Sequence, residues 1–316
     1  MMLFDAYLFV DWSSAAGPSP PNPAPDAVWV GELSPRVEEQ YYFRTRDGAV
    51  AHVRERLREL VRQRRRVLVG FDFPYGYPRG LAARLGLEGD APWRAVWDAI
   101  ADRVTDDAGN VNNRFAAAAV LNGLASGGLG PFWGCPAGAA TPALTATMKG
   151  VFTFPHPGDP PLPRLRTTET AMGPGVQETW KLAGAGSVGG QALVGIPRVR
   201  ALRDDPALAA VSRVWPFETG FGTDACPAAG PFVLHAEIWP GIVSPAEIAA
   251  ETAATDPPGI RDEVQVRLMC RWARDQDAGG GLHTHLSVPG LSGDDRGAAR
   301  TEEGWILGCP APLPHG

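Results

Sequence analysis

VLVGFDFPYGYP, residues Val67–Pro78, opens as an apolar run, sets one carboxylate (Asp72) between two phenylalanines, and breaks at Pro74, Gly76 and Pro78. Val67, Leu68 and Val69 predict a buried strand. An acid at the carboxyl end of such a strand stands where α/β proteins bind their ligands. A carboxylate removed from water needs a base, a metal or several N–H donors beside it. The proline–glycine turn that follows is expected to form a rigid lip at that place.

Upstream, Ala6–Val10 (AYLFV) is a second continuous apolar run, and it too ends in an acid, Asp11, followed by Trp12, Ser13 and Ser14. Between the two runs, Ala27–Leu33 and Gln40–Phe43 carry the β-branched and aromatic content of strands. Val50, Val53, Leu57, Leu60 and Val61 recur at helical spacing after Asp47, which is expected to cap that helix. Strand, strand, strand, helix, strand is a meander followed by a crossover, and a right-handed crossover lays the fourth strand parallel beside the first. Asp11 and Asp72 then share one end of two adjacent strands. This is the topology of a ribonuclease H-like fold, an α/β mixed sheet flanked by helices, in which carboxylates on these two strands bind divalent metal.

The rest of the chain reads as additions to that frame. Ala91–Val104 and Asn112–Leu124 predict helices in an insertion at about residues 85–163 of a single 1–316 domain, and Gly130–Pro163 reads mostly as loop. Next come RLRTTET (Arg164–Thr170), a short predicted helix VQETWKL (Val176–Leu182) and the glycine-rich GAGSVGGQ (Gly184–Gln191). Val211–Thr219 and Phe232–Trp239 predict strands carrying Glu218 and Glu237. Ser244–Glu247 is a capping box with proline at the first helical position, and Ile260–Trp272 is amphipathic, with Asp262 in its first turn.

Formal net charge is −6, which excludes a protein held on nucleic acid by bulk charge alone and leaves room for a local basic groove. Cys135, Cys226, Cys270 and Cys309 are scattered with no CxxC pair, so neither a disulfide framework nor a zinc cluster is expected and a cytoplasmic location is. The first residues include Asp5 and Asp11 and no basic segment, unlike a signal peptide. Phe115–Met148 carries no charge, but Asn122, Ser126 and Pro131 interrupt it before about twenty apolar residues accumulate, so no membrane span is expected.

The chain resembles the domain-of-unknown-function family 429, predicted nucleases of the ribonuclease H-like superfamily. The likeness lies in VDWSS at the first strand, GFDFPYGYP at the fourth, Arg166–Thr167–Thr168–Glu169 as an R-x-x-E motif, and Glu237–Ile238–Trp239–Pro240 as an aromatic–proline strand end. Asp262 sits near the start of the late helix, where the superfamily often keeps its final acid. The resemblance implies a metal-dependent site that cleaves phosphodiesters. Trp-Ser-Ser replaces a small glycine-rich turn after the first strand, and the insertion is large.

The candidate catalytic set is therefore Asp11, Asp72, Glu169, Glu237 and Asp262, with Asp11, Asp72 and Asp262 as ligands of Mg2+ or Mn2+. Hard oxygen donors from several elements suit these ions. Glu169 or Glu237 would orient water; Glu169 has a second reading as a salt bridge to Arg166. Gly184–Gly189 matches G-x-G-x-x-G, but no strand precedes it as a dinucleotide fingerprint requires. It reads instead as a loop whose N–H groups cradle an anion, with Lys181 and Ser187 as phosphate contacts. Asn113, Arg114 and Arg166 complete the candidate contacts to a nucleotide or nucleic-acid-like phosphate. His283 and His285 alternate as on a surface strand, and Trp133, Trp215, Trp239 and Trp305 read as packing. A non-catalytic accessory protein that holds a nucleotide or cofactor in the same acidic cleft is the alternative function.

Overall fold

Alternating and continuous apolar runs become a mixed sheet with helices on both faces. The computed structural model describes residues 2–184, 186–254 and 258–312. Ala6–Asp11 (β1), Val28–Ser34 (β2) and Val37–Phe43 (β3) form an antiparallel meander, with Tyr7 level with Leu33 and Val30 level with Tyr41. Helix Arg46–Arg62 (α1) crosses back and delivers Arg66–Phe71 (β4), which pairs parallel with β1, Val10 level with Phe71. The expected adjacency of the first and fourth strands is therefore observed. Burial explains it: all of β1 except Asp11 and all of β4 except Arg66 is buried, as in strands covered on both faces.

Ser212–Val214 (β5) and Phe232–Glu237 (β6) complete the order β3-β2-β1-β4-β6-β5, with β4, β6 and β5 mutually parallel. Between β4 and β5 the chain forms Leu81–Arg84 (α2), Pro92–Ala101 (α3), Arg114–Ser126 (α4), Thr167–Met172 (α5) and Val188–Arg203 (α6). After β6 come Pro245–Ala253 (α7), Arg261–Ala278 (α8), Gly281–Ser287 (α9) and Gly293–Ala298 (α10). One face of the sheet, with Val10, Val69 and Phe71, packs on Val53 and Leu57 of α1 and Leu193 and Ile196 of α6. The other, with Tyr7, Phe9 and Leu68, packs on Val264 and Met269 of α8 and Leu282 and Leu286 of α9. Among the described residues no helix is long and apolar enough to cross a membrane, and all four cysteines are free thiols.

Helix α6 escapes a reading by periodicity because it is enclosed on nearly every side and rich in glycine. Those glycines are packing devices: a Cβ on Gly189 would lie 2.1 Å from the Thr179 carbonyl oxygen, and one on Gly195 would lie 2.2 Å from the Phe73 ring. Adding a methyl group at Gly189 would otherwise favour the helix by under about 1 kcal/mol, but the obstacle is backbone. Gly189→Ala is therefore expected to destabilise the protein by about 1–3 kcal/mol, the cost of overpacking. An unchanged urea midpoint would show that this close approach does not exist.

Several local expectations are corrected. Val176–Leu182 is not helical; Trp133 N–H donates to the Trp180 carbonyl at 3.0 Å and Leu182 N–H to the Trp133 carbonyl at 2.8 Å, tying the segment to Trp133 through a turn and a bridge. Thr45, not Asp47, caps α1, its hydroxyl accepting Gly48 N–H at 3.2 Å. The strand expected over Val211–Thr219 ends at Val214, where Trp215–Pro216 begins a turn. His283 and His285 lie on helix α9 rather than on a strand. The turn Phe73–Pro78 is buried throughout rather than forming a lip: Trp12, Phe73, Tyr75 and Trp97 make a chain of ring contacts, and a Cβ on Gly76 would strike the Glu302 carbonyl at 2.3 Å.

Candidate active site

The loops that leave β1 and β4 are stitched together at the acids. Trp12 N–H donates to Asp72 Oδ1 at 2.7 Å, and Asp72 N–H donates to the Val10 carbonyl at 3.2 Å. Alternation along β1 puts Asp11 on the same face as Tyr7 and Phe9, the face covered by α8. Asp262, in the first turn of α8, accepts Asp26 N–H at 2.7 Å. Asp11, Asp26 and Asp262 line a cavity of about 380 Å³ with Ser13 and Ser14; Gly184, Gly186, Ser187 and Gln191 line it as well. The sequence thus brings its acid cluster and its glycine loop to one place, the loop leading into the N-terminal end of α6, where the helix dipole favours an anion.

Three residues that shape this cavity carry no pattern in the sequence. Arg46, in the first turn of α1, is fully buried, and its Nη1 donates to the Ser13 carbonyl at 2.9 Å and the Ala15 carbonyl at 2.8 Å. Its Nε and Nη2 bind the Asp106 carboxylate, and Nη2 also donates to the Asn110 carbonyl at 3.0 Å. An arginine opening a helix reads as solvent-exposed, so only the tertiary structure shows that it pins the loop after β1. Gln191 reaches from α6 to the Trp12 carbonyl and fixes the same loop from the other side. Asp26 follows a proline-rich loop and gave no signal.

Electrostatics set this cluster apart from the other acids. Burial first, then the Asp72, Asp262 and Asp26 carboxylates, hold the Asp11 carboxyl well above the usual carboxylate range. Burial and Asp262 push Asp72 up to about 7, against hydrogen bonds from the Trp12 and Asp72 N–H groups. Asp262 is raised too, chiefly by burial. Among the described residues no arginine, lysine or histidine forms an ion pair with Asp11 or Asp72. A carboxyl raised in the folded state stabilises the fold fully below its unfolded pKa, and that contribution is lost as pH climbs through the folded value. Metal-free protein is therefore expected to lose stability between about pH 4 and pH 7 through Asp72, and Asp72→Asn should remove that loss. The variant's unfolding free energy relative to the parent, measured by urea denaturation, should rise from pH 4.5 to pH 8 by an amount on the order of 3 kcal/mol. A difference constant across that range would sink the assignment.

The remaining candidates lie elsewhere. Arg166 is buried between two acids, with Nε on Glu169 Oε1 at 2.9 Å and Nη1 and Nη2 on Glu237 at 2.7 and 2.6 Å. Glu169 further accepts Arg166 N–H at 2.9 Å and the Thr179 hydroxyl at 2.9 Å, and Glu237 accepts Tyr75 N–H at 2.9 Å. Paired acids hold the Arg166 guanidinium more firmly protonated, against the cost of burial. Glu237 pairs in register with Phe71, on the face opposite Asp11, so the two strand-ending acids point away from each other. The salt-bridge reading of Glu169 describes its geometry, and Arg166 offers no free edge to a substrate.

Asn113 is turned inward, accepting Thr105 N–H at 2.8 Å and donating to the Arg103 carbonyl at 2.8 Å. Arg114 stands beside the acid cavity: its Nε and the Ser14 hydroxyl lie 3.4 and 3.3 Å from where a Cβ on Gly190 would sit. That Nε is buried without a hydrogen-bond partner among the described residues. Ser187 lines the acid cavity, and Lys181 lines a neighbouring one. Among the described residues no three Asp, Glu, His or Cys side chains converge as they stand into a group that could hold a metal ion. Comparison of the chain with family models, curated proteins and solved structures returns no match.

Proposed function

We propose that the chain is a metal-dependent hydrolase of the ribonuclease H-like class, acting with Mg2+ or Mn2+ on phosphodiester or nucleotide bonds. The meander, the crossover to β4 and the parallel β6 beside it support that scaffold, with β5 as an extra edge strand. The observation that carries the reaction is the Asp11–Asp72 pair: two acids at one end of adjacent parallel strands, raised in pKa by burial and by neighbouring carboxylates.

The donor set fits such an ion. Mg2+ commonly takes one or two protein carboxylates and keeps several waters, so Asp11 and Asp72 would hold it, with Asp262 on the cavity wall. When bound, the ion supplies Lewis-acid polarisation of a phosphoryl oxygen and a nucleophilic water near neutral pH. Asp11 and Asp72 must release their protons to take it, so binding strengthens as pH rises toward and past 7. Ser13, Ser14 and Ser187 offer hydroxyls to a phosphate in the same cavity, the N-terminal end of α6 offers its dipole, and Arg46 fixes the position of the two serines.

The glycine loop in that cavity favours one other reading, a binding protein that holds a nucleotide without cleaving it. Calorimetric titration with Mn2+ tests the main proposal: the parent is expected to bind with heat, and Asp11→Asn and Asp72→Asn are expected to bind far more weakly. Parent-like Mn2+ binding by both variants would overturn the shared metal site. Tight metal-independent nucleotide binding with no turnover over hours would favour the second reading.

A further inference from the structure

Next to the acid cavity lies a second one, of about 440 Å³, lined by Trp133, Arg164, Leu165, Gln177 and Lys181 among others. Its volume falls in the range of small-ligand sites. Lys181 joins the two cavities, because its Cε and Nζ lie 3.8 and 4.0 Å from where a Cβ on Gly184 would sit, and Gly184 lines the acid cavity. The Lys181 ammonium stands 5.8 Å from the centre of the Trp133 ring. That ring is held rather than free: its N–H donates to Glu178 Oε1 at 2.6 Å, and its backbone is bonded on both sides to the Trp180–Leu182 segment. Glu178 in turn binds Arg164, and Glu169 binds Arg166. Leu165, 37 % exposed, adds an apolar edge.

Resting on the hydrolase reading, we propose that the Trp133 cavity is the subsite for the base of the nucleotide flanking the scissile phosphate, which makes the substrate a single-stranded nucleic acid rather than a mononucleotide. A fixed indole whose N–H is occupied and which lines the cavity offers its ring to a base by stacking, which any base can do. Lys181 lies between that face and the glycine loop, where the linking phosphate of such a strand would pass. A contact of one or two nucleotides does not need the basic footprint that the net charge of −6 denies.

The test is equilibrium binding, read by fluorescence anisotropy in Mn2+, of a phosphorothioate-linked dT8 that resists hydrolysis, with dTMP as competitor. Trp133→Leu is expected to weaken dT8 about tenfold or more and to leave dTMP unchanged, while Trp133→Phe stays within about threefold of the parent. Equal dT8 affinity in parent and Trp133→Leu overturns the proposal, and so does an equal loss for dT8 and dTMP. Should Trp133→Leu fail to fold, photo-crosslinking of the parent with a 4-thiothymidine-substituted octamer decides: adducts at Trp133 or on Arg164–Lys181 support the subsite, and adducts confined elsewhere remove it. None of these readouts needs turnover, so they separate from the hydrolytic reading. Full activity in both Asp11→Asn and Asp72→Asn, with Trp133-dependent dT8 binding intact, would remove only that reading of the acid pair.

Discussion

Asp11→Asn and Asp72→Asn are each expected to lower Mn2+-dependent hydrolysis of bis(p-nitrophenyl) phosphate by about a thousandfold, with the fold retained. The size follows from what the pair is asked to supply. Lewis-acid stabilisation contributes several kcal/mol, and about 4 kcal/mol is a factor of a thousand in rate. An amide in place of either carboxylate removes the charge that would recruit the proposed ion but little of the structure. In Asp72→Asn the side-chain amide oxygen still accepts the N–H that Asp72 Oδ1 takes from Trp12 at 2.7 Å. Circular dichroism and melting should therefore show a folded, and at high pH a more stable, protein. Activity within tenfold of the parent in both variants would mean that the acid pair is not the reactive centre.

Arg166→Met is expected to cost about 3–5 kcal/mol of stability, the scale of breaking a buried ion pair by removing one partner, against a total of about 5–15 kcal/mol for a typical domain. The guanidinium is 1 % exposed and binds Glu169, Glu237 and the Glu303 carbonyl, which ties α5, the end of β6 and the segment near the C-terminal end into one cluster. Without it, Glu169 and Glu237 are left buried as unmatched acids. The triple variant Arg166→Met, Glu169→Gln, Glu237→Gln should recover much of the loss, since no bare charge remains. Urea denaturation measures both. A single variant as stable as the parent would refute the cluster's structural role, and a triple variant no better than the single would place the cost in packing instead.

The frame was legible because β1 and β4 are buried runs that each end in an acid, and strand order alone then forces Asp11 and Asp72 together. The cavity was half legible. The glycine loop was read as an anion cradle, but its meeting with Asp11 and Asp262 depends on α6, whose glycines hide it from any periodicity. Arg46 and Asp26 were invisible, since their roles arise from neighbours distant in the chain. Grouping Glu237 with Asp11 overlooked the offset of one residue in register that sends successive side chains to opposite faces. Asn113 had the composition of a ligand contact and is spent on closing the Arg103–Asn113 loop.

The two ends of the sheet's parallel strands show what a single cation decides. Asp72 and Glu237 both close buried parallel strands, and each accepts a backbone N–H from the loop beside it. Glu237 has Arg166 against it; among the described residues Asp72 forms no ion pair, and Asp262 raises it further. Chemically alike strand ends thus become a paired joint and an unpaired one according to where one guanidinium is lodged. On this scaffold the ionisation of a strand-ending acid is set by its neighbour, and the acid itself can stay.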